Sequence, residues 1–486
     1  MRDLTQGSVA RLLVGMAGFI GFGLIVQTLY VLVDLYFVSQ LGGRAVAGVA
    51  AGGSVLFCAM ALSQIISVGA LSLIAQAIGA REMGRTQTLF EQTLGMSVLA
   101  CLLTIVGIRT AGDGFVTLLS ADEETAQAAR RYLFALMPSL ALLFPNAALG
   151  AALRAGGVVG VPMLIQSATV LLNAGLAPVL VMGWGTGHSY GVAGAGYASS
   201  IAVALGSLFL VALLGRLAPQ FRLRLAMPRL SVWRQIVSIG LPASAEFFVM
   251  FLISGCAYWA LRRFGADAQA GFGIGSRVMQ AVFLPAMALA FAATPIAAQS
   301  VGAGQVDRVR QVFRVAALSG GAIMLALSAL CHLRPELMIE FFTDKPQVLG
   351  YATGYLRIVS WNFVAVGLVF TCSALFQGLG NTVPALISTA SRLVTFVLPI
   401  GLLARWPGTR IEDYWHVSNV SAVIQAGLSL VLLRRALGRL GKRGPAPGRE
   451  GDVPPAEYLG ESLDEPPGEL PSENGRGLAS QASSAA

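Results

Sequence analysis

The chain has 486 residues, 55% of them apolar and only 12% charged, and its mean hydropathy is +0.71. A soluble globular protein carries about 25% charged residues. The composition therefore excludes a soluble enzyme, a nucleic-acid-binding domain, a disordered chain and a disulfide scaffold, and it indicates a polytopic membrane protein. The net charge of +9 is accordingly read first as topology.

Crossing a bilayer takes about 20 apolar residues in a helix. Runs of that length fall near residues 12–38, 46–74, 88–108, 132–153, 161–183 and 191–215. The first is too long for a cleaved signal peptide and lacks a cleavage site. A basic linker at 216–235 follows, and the runs resume near 236–261, 270–298, 311–331, 355–376, 383–403 and 414–433. The expected organisation is a first half at 1–215, a linker at 216–235, a second half at 236–437 and a cytoplasmic tail at 438–486. The tail is rich in Pro, Gly, Ser and acid, cannot bury a core, and is expected to be disordered.

Twelve spans put both termini on one side. With that topology, 20 basic residues share the side of the termini and 11 lie on the other, which also carries Asp122, Glu123, Glu124, Glu412 and Asp413. The positive-inside rule then makes both termini cytoplasmic. The two halves also repeat. A shift of 223 aligns Ala75-Gln76 and Gly79-Ala80 with Ala298-Gln299 and Gly302-Ala303, Arg85 with Arg308, and Tyr132-Leu133 with Tyr355-Leu356. A shift of 222 aligns Ala152-Leu153, Gly156 and Pro162 with Ala374-Leu375, Gly378 and Pro384. Six spans per copy give both copies the same orientation, with two similar bundles about an axis along the membrane normal. That is an architecture of secondary transporters, whose sites lie near the bilayer midplane.

Little chemistry beyond transport is written in the chain. The five cysteines are far apart, and only His188, His332 and His416 are histidine, so no zinc or haem site and no metal centre is expected. Gly-rich stretches such as residues 191–200 lack the lysine and context of a phosphate loop. No nucleophile or paired-carboxylate motif appears, which argues against an enzyme.

The ionisable residues inside spans are informative, because a charge at the bilayer centre costs about 2.5–3.5 kcal/mol on insertion scales. Asp34, in span 1, has no basic neighbour within a helical turn. An unpaired carboxylate in a low-dielectric site can exchange a proton near neutral pH or hold a sodium ion with other oxygens; the alternative is an interfacial helix-end aspartate. Glu246, one turn past Gly240-Leu241-Pro242 in span 7, and Arg277, in span 8, could form a structural ion pair, or Glu246 could bind a proton or a substrate cation. Arg392 in span 11 could snorkel or hold an internal carboxylate. Neutral polar residues recur in the spans at Gln27, Gln64, Gln76, Asn146, Asn173, Ser199, Gln280, Gln299, Asn362 and Gln377, and most such residues join helices. Tyr30, Met279 and other aromatic and Met residues suit an amphiphilic-cation cavity or plain packing.

Several stretches, in order and spacing, resemble the multidrug and toxic compound extrusion (MATE) family over about residues 8–435. They are VDLYFVSQLGGRAVAGVA (33–50), AQAIGAREMGR (75–85), AALRAGGVVGVPMLIQSATVLLNAGLAPVL (151–180), GVAGAGYASS (191–200), GLP (240–242), residues 270–305 and ALFQGLGNTVPALISTASR (374–392). The details are most similar to the DinF-like branch. The resemblance implies twelve helices in two pseudo-symmetric six-helix lobes forming a V, alternating between inward- and outward-facing states. It implies export of small, amphiphilic, organic cations in exchange for protons or sodium, with no cofactor beyond the coupling ion. The family's cation site maps onto Asp34 and Asn173, with Ser199 where a threonine is common. Glu246, Arg277, Gln280, Tyr30 and Met279 are the substrate and second-lobe candidates.

Two positions depart from the family pattern. Members similar to the archaeal proteins have an aspartate where this chain has Ala177, so a sodium cage would lose counter-charge and oxygens and a proton becomes the favoured ion. The other main branch has a glutamate where this chain has Met250, and Glu246 lies one turn earlier. The expectation is a monomeric, multi-pass antiporter of a bacterial inner membrane, without a nucleic-acid partner. The alternative is a flippase for lipid-linked or amphiphilic substrates of the related superfamily, which would call for more central cations than Arg277 and Arg392.

Overall fold

The computed structural model describes residues 2–340, 342 and 345–442, and of residues 30–35 and 442 the backbone alone. Among them there is no strand, and twelve helices are long and apolar enough to cross a membrane. They are α1 (Val9–Ser39), α2 (Gly43–Gly79), α3 (Met83–Leu119), α4 (Glu123–Ala155), α5 (Gly160–Met182) and α6 (Val192–Leu217). The second half holds α7 (Leu230–Leu261), α8 (Ala266–Gly302), α9 (Val306–Leu333), α10 (Pro346–Leu379), α11 (Val383–Leu403) and α12 (Ile411–Lys442). Helix is the form such sequences must take in lipid, where each backbone N–H and C=O needs a partner within the segment. The 37-residue helices α2, α3 and α8 are each about 55 Å long at 1.5 Å per residue, well beyond the hydrocarbon core. They tilt or protrude.

Two expected boundaries move. The linker shortens to residues 218–229, because residues 230–235 already belong to α7, where Val232 and Ile236 are buried. The expected tail boundary at 438 falls inside α12, which runs to Lys442. Leu437 is buried, basic residues suit a helix C-terminus, and the first proline comes only at Pro445. The rest of the tail lies outside the described residues.

Local chemistry places the helix ends. The Asp122 carboxylate caps α4 by accepting the Thr125 N–H at 2.7 Å, and this backbone bond holds its carboxyl below the ordinary value. A depressed folded value means that the cap contributes above the unfolded carboxylate range and is lost as pH falls through the lowered value. Asp122→Ala should remove that acid-side component, read as a smaller dependence of thermal unfolding on pH below about 5. Pro399, which has no N–H and crowds the Thr395 carbonyl, follows a π-helical turn at Leu393–Val397.

The helices join into one compact unit whose packing repeats between halves. In the first half α1 lies on α5, and in the second α7 lies on α11. Each of these helices also reaches across, α1 onto α8 and α7 onto α2. The α2–α8 pair joins the halves at the C-terminal ends of both helices. A Cβ on Gly79 would overlap the Gln299 backbone, 2.7 Å from its carbonyl carbon, and a Cβ on Gly302 would overlap the Gln76 backbone in the same way. The repeated Ala-Gln…Gly-Ala sequence is thus one place where the two halves touch backbone to backbone; Gly69 and Gly240 make the like contact between α2 and α7, at Ile236 and Ile65.

Candidate functional site

The candidate residues of the first half converge on α5. Asn173 and Ser199 are 2% and 3% exposed, and the Asn173 Nδ2 donates to the Ser199 Oγ at 3.0 Å. The bond ties α5 to α6, which the Gly196 close approach to α4 and the Ser200 bond to the Ala135 carbonyl seat in turn. Among the described residues the Asn173 Oδ1 has no hydrogen-bond partner. The same is true of Asn146 and Asn362, so an unmatched amide oxygen does not by itself mark a site.

Register singles out Asn173. Helices α1 and α5 run in the same direction and pack together. Gly23 receives Met163, and Phe19 lies on Gly160. Counting on from these contacts brings the backbone of Asp34 level with Ala174, beside Asn173. The side chains of Asp34 and Tyr30 lie outside the described residues. Ala177, one turn beyond Asn173, is fully buried, so an apolar methyl and no side-chain oxygen occupies that depth. Pro178, lacking an N–H, leaves the Ala174 carbonyl without its helical donor. A buried amide oxygen, a hydroxyl and a freed carbonyl therefore cluster at the level of Asp34 on a stretch otherwise made of apolar side chains. Such oxygens can accept a proton-bearing carboxyl or ligate a small hard cation.

The second-half candidates do not gather into one group. Glu246 is half-buried on α7 and accepts the Ser373 hydroxyl of α10 through both carboxylate oxygens, at 2.8 and 3.2 Å. The ion pair with Arg277 weighed from sequence is not formed among the described residues; Arg277 and Gln280 are exposed on α8. Met279 receives the hydroxyl of buried Tyr355 at 3.4 Å and packs with the second-half core. Arg392 lies over the Phe396 ring at 5.4 Å and donates to the Ser418 Oγ at 3.4 Å. Ser373 escaped sequence reading because a lone span serine carries no periodic or charge signal. Arg154, just past the expected fourth span at 132–153, lies within α4 and donates to the Ser67 Oγ of α2 at 2.7 Å.

Two other span amides act as helix joints. Asn146 donates to Ser207 at 2.8 Å and Asn362 to Asn419 at 2.9 Å. A cavity of about 400 Å³ lined by Gln127, Arg130, Arg131, Phe134, Ala193 and Tyr197 touches none of the candidate residues. It sits where Arg130 pairs with Asp113 and Glu123, a rim setting in which ion pairs contribute little. Among the described residues no cluster of histidine, cysteine and carboxylate could hold a metal ion.

A family model, MatE, matches residues 20–179 and 242–403. The chain belongs to the MATE family. The two matched stretches start 222 residues apart, which is the register of the internal repeat, so each half of this MATE protein fits the model once. The chain is 25% identical over 399 residues to the "probable multidrug resistance protein NorM" of Thermotoga maritima, spanning 79% of this chain and 85% of the relative. It is 24% identical over 408 residues to the "FAD transporter" of Shewanella oneidensis, spanning 81% and 86%. Among solved structures it superposes on a MATE protein in the bent conformation with a TM-score of 0.84 at 24% identity, covering 90% of this chain and 98% of that one. The all-helical twelve-span architecture expected from sequence is thus the family's fold.

Proposed function

We propose that this MATE protein is a secondary exporter of small, amphiphilic, cationic or drug-like compounds, driven by inward movement of protons. The halves on either side of the 218–229 linker act as two lobes, with both termini cytoplasmic, and the chain works as a monomer by alternating access. The details follow the DinF-like branch. The observation that carries the reading is the buried Asn173–Ser199 pair at the level of Asp34. A proton is favoured over sodium because buried Ala177 supplies neither the charge nor the oxygens that a dehydrated sodium ion requires. Protonation of Asp34 from outside repacks α1 against α5 and closes the first lobe, expelling substrate. Loss of the proton to the cytoplasm resets it. Substrate and proton bind different states, so each lowers the affinity for the other by the same factor.

The test is dye efflux from proteoliposomes under a pH gradient alone and then a sodium gradient alone. Efflux with the pH gradient only is expected; efflux with sodium only would overturn the ion assignment. Ala177→Asp restores a carboxylate one turn from Asn173, and it should confer a sodium dependence absent from the parent. Sodium-insensitive efflux in a folded Ala177→Asp protein would separate coupling from this position.

A further inference from the structure

We propose that the N-terminal segment, residues 2–7, is a latch that holds the two halves together at the end bearing the termini and releases in each transport cycle. Even-numbered helices end on the side of the N-terminus, so the ends of α2, α4, α8 and α10 meet there. At that end the segment bridges the seam. From the first half, the carbonyl of Gly156, just past α4, accepts the Arg2 N–H at 3.0 Å. From the second half, the Gln299 Oε1 on α8 accepts the Leu4 N–H at 2.9 Å. Arg308 on α9 then grips the strap, its guanidinium donating to the carbonyls of Leu4, Gln6 and Gly7 at 2.9–3.2 Å. The Leu4 side chain is fully buried, against Gly157 of the α4–α5 turn.

Gln299 is the clasp. It is fully buried, and while its oxygen holds the strap its Nε2 donates to the Ala155 carbonyl of α4 at 2.6 Å. One side chain thus ties α8, α4 and the N-terminal segment. Its repeat counterpart, Gln76, donates to the Gly378 carbonyl of α10 at 3.0 Å, so the seam carries the same joint in both directions. Only the Gln299 joint has a strap among the described residues. Separation of the halves at this end cannot leave both sets of strap bonds intact, because Gly156 and Gln299 belong to different halves. It must also expose Leu4 and leave the Gln299 amide unmatched, a cost that closing recovers.

The latch rests on the transport reading only for the claim that both ends of the molecule open in turn. Its test needs no substrate. Spin labels at Met83→Cys and Gln305→Cys, both exposed beside turns flanking the seam, are introduced after replacement of the native cysteines, and their distance distribution is measured. The parent should give a dominant short distance. Deleting residues 2–6 should keep the same two distances and raise the ratio of long to short at least about tenfold, because the strap's bonds to Gly156, Gln299 and Arg308 and the buried leucine are lost together. Gln299→Leu should shift the ratio the same way, and more than Gln76→Leu. If Gln299→Leu fails to fold, Arg308→Gln, which loosens the strap from one half only, takes its place. A lower melting temperature with an unchanged distance ratio in the deletion protein would mean mere structural docking and would overturn the proposal. A shifted ratio in a protein that moves no dye under either gradient would sink the exporter reading and leave the latch standing.

Discussion

Asp34→Asn is expected to give a folded, inserted protein whose gradient-driven efflux falls to the level of empty vesicles. Asparagine keeps the size and hydrogen-bonding shape of the residue and removes only its titration, and it is less costly in the bilayer than an ionised aspartate. Insertion and thermal stability should therefore match or exceed the parent. The Asn173–Ser199 bond, which needs no charge, should persist. Substrate binding measured at fixed pH should survive, while its dependence on pH should disappear, since linkage between proton and substrate requires a group that changes protonation between states. Normal efflux by the asparagine variant would move coupling elsewhere in the chain, with Glu246 and its Ser373 donor as the next residues to test.

The second large effect is expected at the α2–α8 crossing. Gly79→Ala and Gly302→Ala each place a methyl into the backbone of the opposing helix, at Gln299 and Gln76 respectively. Backbone cannot swing aside as a flexible side chain can. The helices must move apart, with a cost of about 1–3 kcal/mol for a methyl in a packed core and more for a larger residue. Both Gln299 and Gln76 hold their bonds across the seam at these same contacts, so separation weakens the joints as well. The measurement is the thermal unfolding of each variant beside Gly95→Ala on α3, whose added Cβ meets nothing within 4 Å. That control should gain about 0.8–1 kcal/mol from helix propensity. Similar behaviour of all three variants would show that the crossing is looser than its geometry.

Sequence alone determined the membrane class, the number of spans, the repeat and the family. These are properties of composition and long-range pattern: a span needs only enough consecutive apolar residues, and a repeat keeps its register whatever the helices touch. It also picked out Asp34, because an ionisable residue in a span is costly enough to stand out by itself. The repeated Gln76 and Gln299 were visible as letters, but their partners were not. Gln299 reaches 144 residues back to Ala155 and Gln76 reaches 302 residues on to Gly378, and no local pattern encodes such a distance.

What only the tertiary structure decided is who meets whom. Glu246 found Ser373 rather than Arg277 because α7 and α10 bring those two side chains together, while Arg277 is exposed on α8. Residues 2–7, too short and mixed to read as an element, became a strap because Gln299, Arg308 and the α4–α5 turn surround them. Hydrophobicity places a helix in the bilayer and leaves its rotation and neighbours open. In lipid those are fixed by close packing and by polar groups that must find partners, and both depend on the whole set of helices being assembled.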